Sequence, residues 1–294
     1  MNLVKHRAAP VDERSVENHS TLLAEPNCER DGSELGALAV DARGLRRVFG
    51  TRVAVDEVSL AVPRGSFFGV VGPNGAGKTT SLRMMTGLLK PDAGEVVVDG
   101  VNVWHDPVTA KARFGVLPDD LRLFERLTGR EFLLYIGLLR RIPREIATQR
   151  TAELLDVLGM GRSSDELVAD YSQGMRKKIG LGAALLHVPA VLFLDEPFES
   201  VDPVSARALQ DVLAQFRASG GTIVFSSHVM ATVERLCDRV AIVHAGRVVR
   251  TGSTAHVCNG TSLEDAFISS VGAMEVRADQ LGWLRTGLAI ANGV

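Results

Sequence analysis

A glycine-rich segment between an apolar run and a helical pattern constrains this chain's fold more than any other feature. Residues 72–80 read Gly-Pro-Asn-Gly-Ala-Gly-Lys-Thr-Thr and match the pattern GxxxxGK[ST] in full. The apolar run Phe67–Val71 precedes the segment, and a helical pattern from Lys78 to Leu89 follows it. Glycines in such a loop let successive backbone N–H groups point at phosphate oxygens. The segment therefore predicts a nucleotide-phosphate site between a buried strand and a helix.

The pattern also gives individual residues of this loop a role. The Lys78 ammonium is expected to reach the β- and γ-phosphates, and the Thr79 hydroxyl is expected to ligate Mg²⁺. The helix that begins here adds the positive end of its dipole. The predicted phosphate-binding residues are Gly72, Pro73, Asn74, Gly75, Ala76, Gly77, Lys78, Thr79 and Thr80.

A second apolar run, Val191–Leu194, is followed directly by two acidic residues, Asp195 and Glu196. Carboxylates at the carboxyl end of a parallel strand lie in the ligand crevice of an α/β sheet. Asp195 then suits the Mg²⁺ shell, and Glu196 suits a general base that polarises the attacking water. Because many ordinary strands also end in acidic residues, this signal depends on the phosphate loop for its meaning.

Two further positions are less specific when each is taken alone. Ser172 opens a helical pattern and is a plausible N-cap, but the Ser-x-Gly spacing with Gly174 also resembles a second anion site. His228 follows the strand pattern Thr222–Phe225 through two serines. A histidine there can reach a γ-phosphate and orient water, although a lone histidine is more often structural.

The remaining patterns predict an α/β fold with a phosphate-loop core and a mainly parallel sheet. Strand patterns at Arg47–Phe49 and Val53–Val62, with a hairpin turn at Asp99-Gly100, indicate an antiparallel β-subdomain. Helical patterns at Arg130–Arg141 and Arg144–Leu158 indicate a helical subdomain inserted at about 120–170. The predicted domains are a flexible extension at 1–36, a nucleotide-binding domain at 37–273 and a tail at 274–294.

Composition narrows the class of protein. A net charge of −2 over 294 residues argues against a mainly electrostatic nucleic-acid binder. Cys28, Cys237 and Cys258 form no CxxC pattern, which favours a reducing compartment and no zinc site. No apolar run approaches the roughly 18 residues that cross a bilayer. We therefore expect a cytosolic protein whose membrane contact comes through a partner.

In this order, the phosphate loop, the Ser-x-Gly helix start, the apolar-Asp-Glu run and the Ser-His pair resemble the ATP-binding subunits of ABC transporters. The resemblance covers residues 38–272, and Tyr-Ser-Gln-Gly-Met at 171–175 stands where this family has LSGGQ. It implies that Ser172 and Gly174 contact ATP held by a second subunit, in a head-to-tail homodimer or heterodimer. It also implies that Phe49 stacks on adenine and that Asp202 links the two active sites.

The sequence departs from this family at three places. Asp119 stands where the family has a glutamine that contacts the Mg²⁺ shell, and its side chain is shorter and charged. The signature segment carries Gln173 and Met175, and Glu199 replaces a small polar residue. Because the phosphate loop, both strand-end carboxylates and the histidine are all present, the resemblance implies an active ATPase. The predicted metal ligands are Thr79, Asp195 and Asp119, and the predicted catalytic residues are Glu196 and His228.

The stretch Ser-Gln-Gly-Met-Arg-Lys-Lys is most similar to bacterial subunits of the multidrug and antibiotic-export type. This implies a transmembrane permease partner at the cytoplasmic face of the membrane, with the helical insert as the docking surface. The alternatives are a soluble ABC ATPase without a permease and a nucleotide-binding regulator without turnover. A phosphate-loop kinase or GTPase is a further class, but the chain has no Asn/Thr-Lys-x-Asp guanine motif, which favours adenine.

Overall fold

The computed structural model describes residues 38–272, so the expected extension at 1–36 and tail at 274–294 lie outside the described residues. In this range the strands are β1 (Leu38–Phe49), β2 (Arg52–Pro63), β3 (Phe67–Val71), β4 (Ala93–Val98), β5 (Val101–Asn102), β6 (Phe114–Leu117), β7 (Val191–Asp195), β8 (Thr222–Ser227), β9 (Arg239–His244) and β10 (Arg247–Ser253). The helices are α1 (Lys78–Met85), α2 (Pro107–Arg113), α3 (Gly129–Leu139), α4 (Arg144–Val157), α5 (Gln173–Leu185), α6 (Pro203–Ala218), α7 (Met230–Leu236), α8 (Thr254–Cys258) and α9 (Leu263–Val271).

A six-stranded sheet with the order β10-β9-β3-β8-β7-β6 forms the centre of the fold. All neighbouring pairs are parallel except β10 and β9, which confirms the predicted mainly parallel sheet. Val71 of β3 pairs with Ser227 of β8, and Asp195 of β7 pairs with Ser226. The carboxyl ends of these three strands therefore meet at one edge, where the phosphate loop also begins.

The central strands are buried on both faces of this sheet. In β3, Phe67 and Val71 face one hydrophobic core, whereas Phe68 and Val70 face the other. Strands β7 and β8 alternate between the two cores in the same way. Burial on both faces explains why these strands appear in the sequence as continuous apolar runs. It also makes the sheet a rigid support for the loops at its edge.

A second, antiparallel sheet has the order β2-β1-β4-β5 and confirms the predicted β-subdomain. Its hairpin turns at Asp99 and Gly100, whose φ angles of 47° and 80° suit the predicted Asp-Gly turn. Strand β1 begins at Leu38 rather than near Arg47, because register shifts around Gly44 interrupt the alternation that marks a strand. This sheet places Phe49, at the end of β1, beside the phosphate loop.

Helices α3 and α4 lie between β6 and α5 in the chain, as the patterns at 120–170 predict. Thr128 caps α3, and the Thr128 and Glu131 side chains bond to each other's backbone N–H in a capping box. The sequence patterns did not detect α2 or β6, because both are short and β6 has only four residues. Within residues 38–272, no helix combines the length and apolar composition needed to cross a membrane.

Candidate nucleotide site

The phosphate loop connects β3 to α1 and depends on its glycines. Gly75 and Gly77 have φ angles of 79° and 106°, in the region that favours glycine. Gly72 has no positive φ angle, but it leaves no room for a side chain, since a Cβ there would lie 2.1 Å from the backbone oxygen of Val243. Helix α1 ends at Met85 rather than Leu89, because Gly87 turns the chain with a φ of 68°.

The Lys78 side chain is buried and folded against its own loop. Its Nζ donates to the carbonyl oxygens of Gly72 at 2.8 Å and Pro73 at 3.2 Å. The same nitrogen lies 3.4 Å from Oε1 of Glu196, whose side chain is also buried. Lys78, the predicted phosphate-binding lysine, therefore forms a buried ion pair with Glu196, the predicted general base. The two residues are 118 positions apart in the sequence.

The Asp195 carboxylate lies at the base of the site, behind the start of α1. Its Oδ1 accepts hydrogen bonds from the Thr79 hydroxyl at 3.1 Å and the Ser226 hydroxyl at 2.5 Å. Burial raises the pKa of Asp195 above its ordinary value, and the negative charge of Asp119 adds to the rise. The two hydroxyl bonds oppose the rise. The predicted metal ligands Thr79 and Asp195 therefore share one pocket of hard oxygen donors.

The raised pKa predicts that the Asp195 charge destabilises the nucleotide-free protein. The folded state holds the proton more tightly than the unfolded state, so stability is greatest below the ordinary pKa of 3.8 and falls as pH rises through the higher folded pKa. We expect Asp195→Asn to raise the thermal midpoint at pH 7.5 by about 2 °C or more.

The measurement is thermal unfolding without nucleotide or metal at pH 7.5 and at the lowest pH at which both proteins stay folded. The gain should shrink at low pH, where Asp195 itself becomes neutral. Asp156→Asn, at an exposed position of α4, is the matched control and should leave the midpoint unchanged. A midpoint lowered by Asp195→Asn at pH 7.5 would show that the charge is stabilising.

Glu196 has a backbone conformation that L-residues rarely adopt, with a φ of 45°. Its N–H donates to the Ser226 hydroxyl at 3.2 Å, which helps to hold this turn after β7. Its Oε2 lies 3.1 Å from Nδ1 of His228 and accepts from the His228 backbone N–H at 3.4 Å. The structure thus brings the two predicted catalytic residues into direct contact.

A polar cleft of about 530 Å³ opens in front of the phosphate loop. It brings together these predicted residues: Phe49, Asn74, Gly75, Gly77, Lys78, Thr79, Thr80, Asp119 and Glu196. Phe49 is 47% exposed, and the Arg47 guanidinium lies 5.0 Å from the centre of its ring. A larger groove of about 730 Å³ lies between α4 and α6 and contains none of the predicted site residues.

Three residues of the cleft were not assigned from the sequence, namely Arg52, Ala54 and Glu199. Arg52 and Ala54 lie two apart at the start of β2, so the period-two rule would place them on one face once β2 is known. The sequence marks Glu199 only as a departure from the family pattern. Its position beside Glu196 depends on the turn after β7, which the sequence does not describe.

Ser172, Gly174 and Asp202 lie outside this cleft and form a second cluster. Ser172 caps α5 by accepting from the Met175 N–H at 3.2 Å, which confirms the expected N-cap. Asp202 caps α6 by accepting from the N–H groups of Val204 and Ser205. A Cβ on Gly174 would lie 3.0 Å from Oδ2 of Asp202. One chain therefore contains a complete phosphate loop and, separately, a cluster of the residues expected to face a second subunit.

Comparison with known proteins agrees with this arrangement. The sequence profile of the ABC transporter family matches residues 55–199. The linearmycin resistance ATP-binding protein LnrL of Bacillus subtilis is 32% identical, over 75% of this chain and 71% of that protein. The chain belongs to the family of ABC transporter ATP-binding proteins. Members of this family hydrolyse ATP, so this ABC protein is an ATPase.

Other comparisons extend this result. The ABC transporter ATP-binding protein NatA of Bacillus subtilis is 37% identical, over 72% of this chain and 87% of that protein. The daunorubicin/doxorubicin resistance protein DrrA of Streptomyces peucetius is 36% identical, over 74% of this chain and 66% of that protein. A solved ATP-binding subunit of an ABC transporter superposes with a TM-score of 0.74 at 28% identity, over 79% of this chain and 99% of that one.

Proposed function

We propose that this ABC protein hydrolyses ATP with Mg²⁺ to power export of an antibiotic-like compound through a separate transmembrane permease. The relatives named for linearmycin and daunorubicin/doxorubicin resistance carry this proposal. The nucleotide-binding domain is taken as residues 37–273 with its helical insert at about 120–170. The chain acts at the cytoplasmic face of the membrane, held there by its partner.

The geometry supports a division of roles inside the cleft. Backbone amides of residues 72–80 and the Lys78 ammonium bind the phosphates, and Phe49 stacks on the adenine. The oxygen donors of Thr79, Asp195 and Asp119 suit Mg²⁺, which would neutralise charge on the transferred phosphoryl group. Such a cation would also offset the cost of burying the Asp195 charge.

Glu196 is proposed as the general base, and His228 as the residue that orients it and the attacking water. The contact of 3.1 Å between Glu196 Oε2 and His228 Nδ1 supports this pairing. Ser172 and Gly174 are proposed to contact the nucleotide of a second copy or a homologous subunit. Two observations support this role: Ser172 is exposed, and neither Ser172 nor Asp202 lines the nucleotide cleft of its own chain.

An exposed apolar patch on the helical insert is proposed as the permease-docking surface. The patch consists of Phe124, Tyr135, Leu138 and Leu139. The three residues of α3 are spaced i, i+3 and i+4 and so share one helix face, and the Phe124 ring packs on Tyr135 at 5.3 Å between centroids. Leu139 is 60% exposed. Contiguous apolar surface of this kind is typical of interaction sites.

This assignment predicts that Leu139→Asp weakens association with the permease. Placing a charge in an apolar contact is expected to reduce recovery with the membrane partner about tenfold, the effect of ~1.4 kcal/mol. The measurement is co-purification from membranes that contain the permease. Val108→Asp, at an exposed valine of α2, is the control and should be recovered as well as the wild type.

The transport function is tested by deleting the chain's gene and measuring resistance to linearmycin, daunorubicin and doxorubicin, the compounds named for its relatives. Loss of resistance that is restored by the wild type, but not by a hydrolysis-deficient variant, is the expected result. A protein that is recovered without any polytopic membrane partner, and whose loss leaves resistance unchanged, would instead support a soluble ABC ATPase.

A further inference from the structure

A buried lysine on α5 lies behind the nucleotide cleft. The Lys177 side chain is 5% exposed, and its Nζ donates to the backbone oxygen of Glu196 at 3.0 Å. The same nitrogen lies 3.6 Å from Oδ1 of Asp119, whose side chain is 48% exposed. Lys177 therefore connects the helix that begins at Ser172 with the proposed general base and with the edge of the cleft.

Asp119 pairs with Lys177 and also lines the nucleotide cleft. A buried ammonium is stable when a carboxylate lies close to it, and Asp119 is the partner that the described part of the chain supplies. Asp119 lines this cleft together with Thr79, whose hydroxyl bonds to Asp195. The Asp119 carboxylate thus pairs with Lys177 and lies near the place where Thr79 and Asp195 would bind a cation.

We infer that Lys177 is a positioning residue that pairs with Asp119 and competes with Mg²⁺ for this carboxylate. If Asp119 bound the cation instead, Lys177 would lose its counter-charge and would keep its hydrogen bond to the Glu196 backbone oxygen. Nucleotide and Mg²⁺ in the cleft would then weaken the ion pair that connects α5 to Asp119, and Ser172 caps the start of this helix. This inference rests on the proposed use of Mg²⁺ with ATP.

Loss of Lys177 is expected to raise the affinity for Mg²⁺ and to lower kcat. Because Lys177 and Mg²⁺ compete for Asp119, removing the lysine charge should make Mg²⁺ bind more tightly. Removing the lysine side chain should also lower kcat, because Glu196 loses the hydrogen bond at its backbone oxygen. A defect that only loosens the fold would weaken both properties together.

The test measures Mg²⁺-dependent binding of a fluorescent, non-hydrolysable ATP analogue, which requires no turnover. We expect Lys177→Met to lower the half-saturating Mg²⁺ concentration about fivefold or more, the low end of typical coupling between sites. Asp119→Asn should raise that concentration. With Asp119→Asn already present, Lys177→Met should no longer shift it.

Lys178→Met is the matched control, since Lys178 is also buried in α5 but forms no ion pair with any residue in 38–272. It should leave the Mg²⁺ requirement unchanged. Lys177→Gln is the second variant in case Lys177→Met does not fold. It keeps an N–H donor near Glu196 without the charge, so the Mg²⁺ shift should remain while kcat falls less.

The outcomes separate the two proposals. If the wild type takes up the analogue with Mg²⁺ but neither Lys177 variant changes the Mg²⁺ requirement, the competition for Asp119 is wrong. A shift that persists in the Asp119→Asn background also overturns it, because Lys177 would then act without that carboxylate. If the wild type binds no analogue at all, the proposed ATPase site itself fails.

Discussion

Glu196→Gln is expected to lower ATP turnover by about 10²- to 10⁴-fold while nucleotide binding persists. Glutamine has the size of glutamate but cannot accept the proton of the attacking water. It can still accept the His228 N–H bond that the structure gives Glu196. The measurement is steady-state phosphate release, with nucleotide affinity determined in parallel by equilibrium binding.

Glu199→Gln provides the matched control for this variant. Glu199 also lines the cleft, so its substitution removes the same charge from the same space without touching the proposed base. A much smaller loss of turnover is expected. Equal losses in the two variants would assign the effect to cleft charge, and unchanged turnover in Glu196→Gln would refute the base assignment.

Gly72→Ala is expected to destabilise the folded protein by about 3 kcal/mol or more, the upper range for overpacking. The new Cβ would lie 2.1 Å from the Val243 backbone oxygen, which belongs to the adjacent strand β9 and cannot rotate away. Relief requires the start of the phosphate loop to move. In a domain of this size such a loss lowers the thermal midpoint by about 6–12 °C. Nucleotide affinity should fall as well.

Gly161→Ala is the control for that substitution. A Cβ at Gly161 would meet no atom within 4 Å, and the residue has no positive φ angle. Its thermal midpoint and nucleotide affinity should stay close to those of the wild type. A Gly72→Ala protein with both properties unchanged would mean that the loop tolerates displacement and that its geometry is not set by contact with β9.

The phosphate loop could be predicted because its chemistry lies in consecutive residues. Backbone amides of 72–80 act together whatever the rest of the chain does, and the adjoining apolar run and helix are local patterns too. The strand-end position of Asp195 followed from a general property of parallel sheets. The mainly parallel sheet and the antiparallel subdomain followed from strand and turn patterns that tertiary contacts reinforce.

Short or irregular elements could not be predicted in this way. Strand β6 has four residues and is defined by its pairing with β7, and α2 spans only seven residues. The start of β1 has no clear sequence signal, because its register shifts interrupt the alternation of a strand. In each case the stabilising contacts come from residues distant in the sequence, so a local window contains little of the signal.

The sequence by itself determined that this chain carries a phosphate loop, two strand-end carboxylates and the order of motifs of an ABC ATPase. The tertiary structure alone decided that Lys78 pairs with Glu196, that Gly174 adjoins Asp202 and that Lys177 pairs with Asp119. The physical reason is the sequence separation over which each kind of interaction acts. Backbone conformation and hydrophobic periodicity act over a few neighbouring residues, whereas ion pairs and close packing depend on which elements the folded sheet brings together.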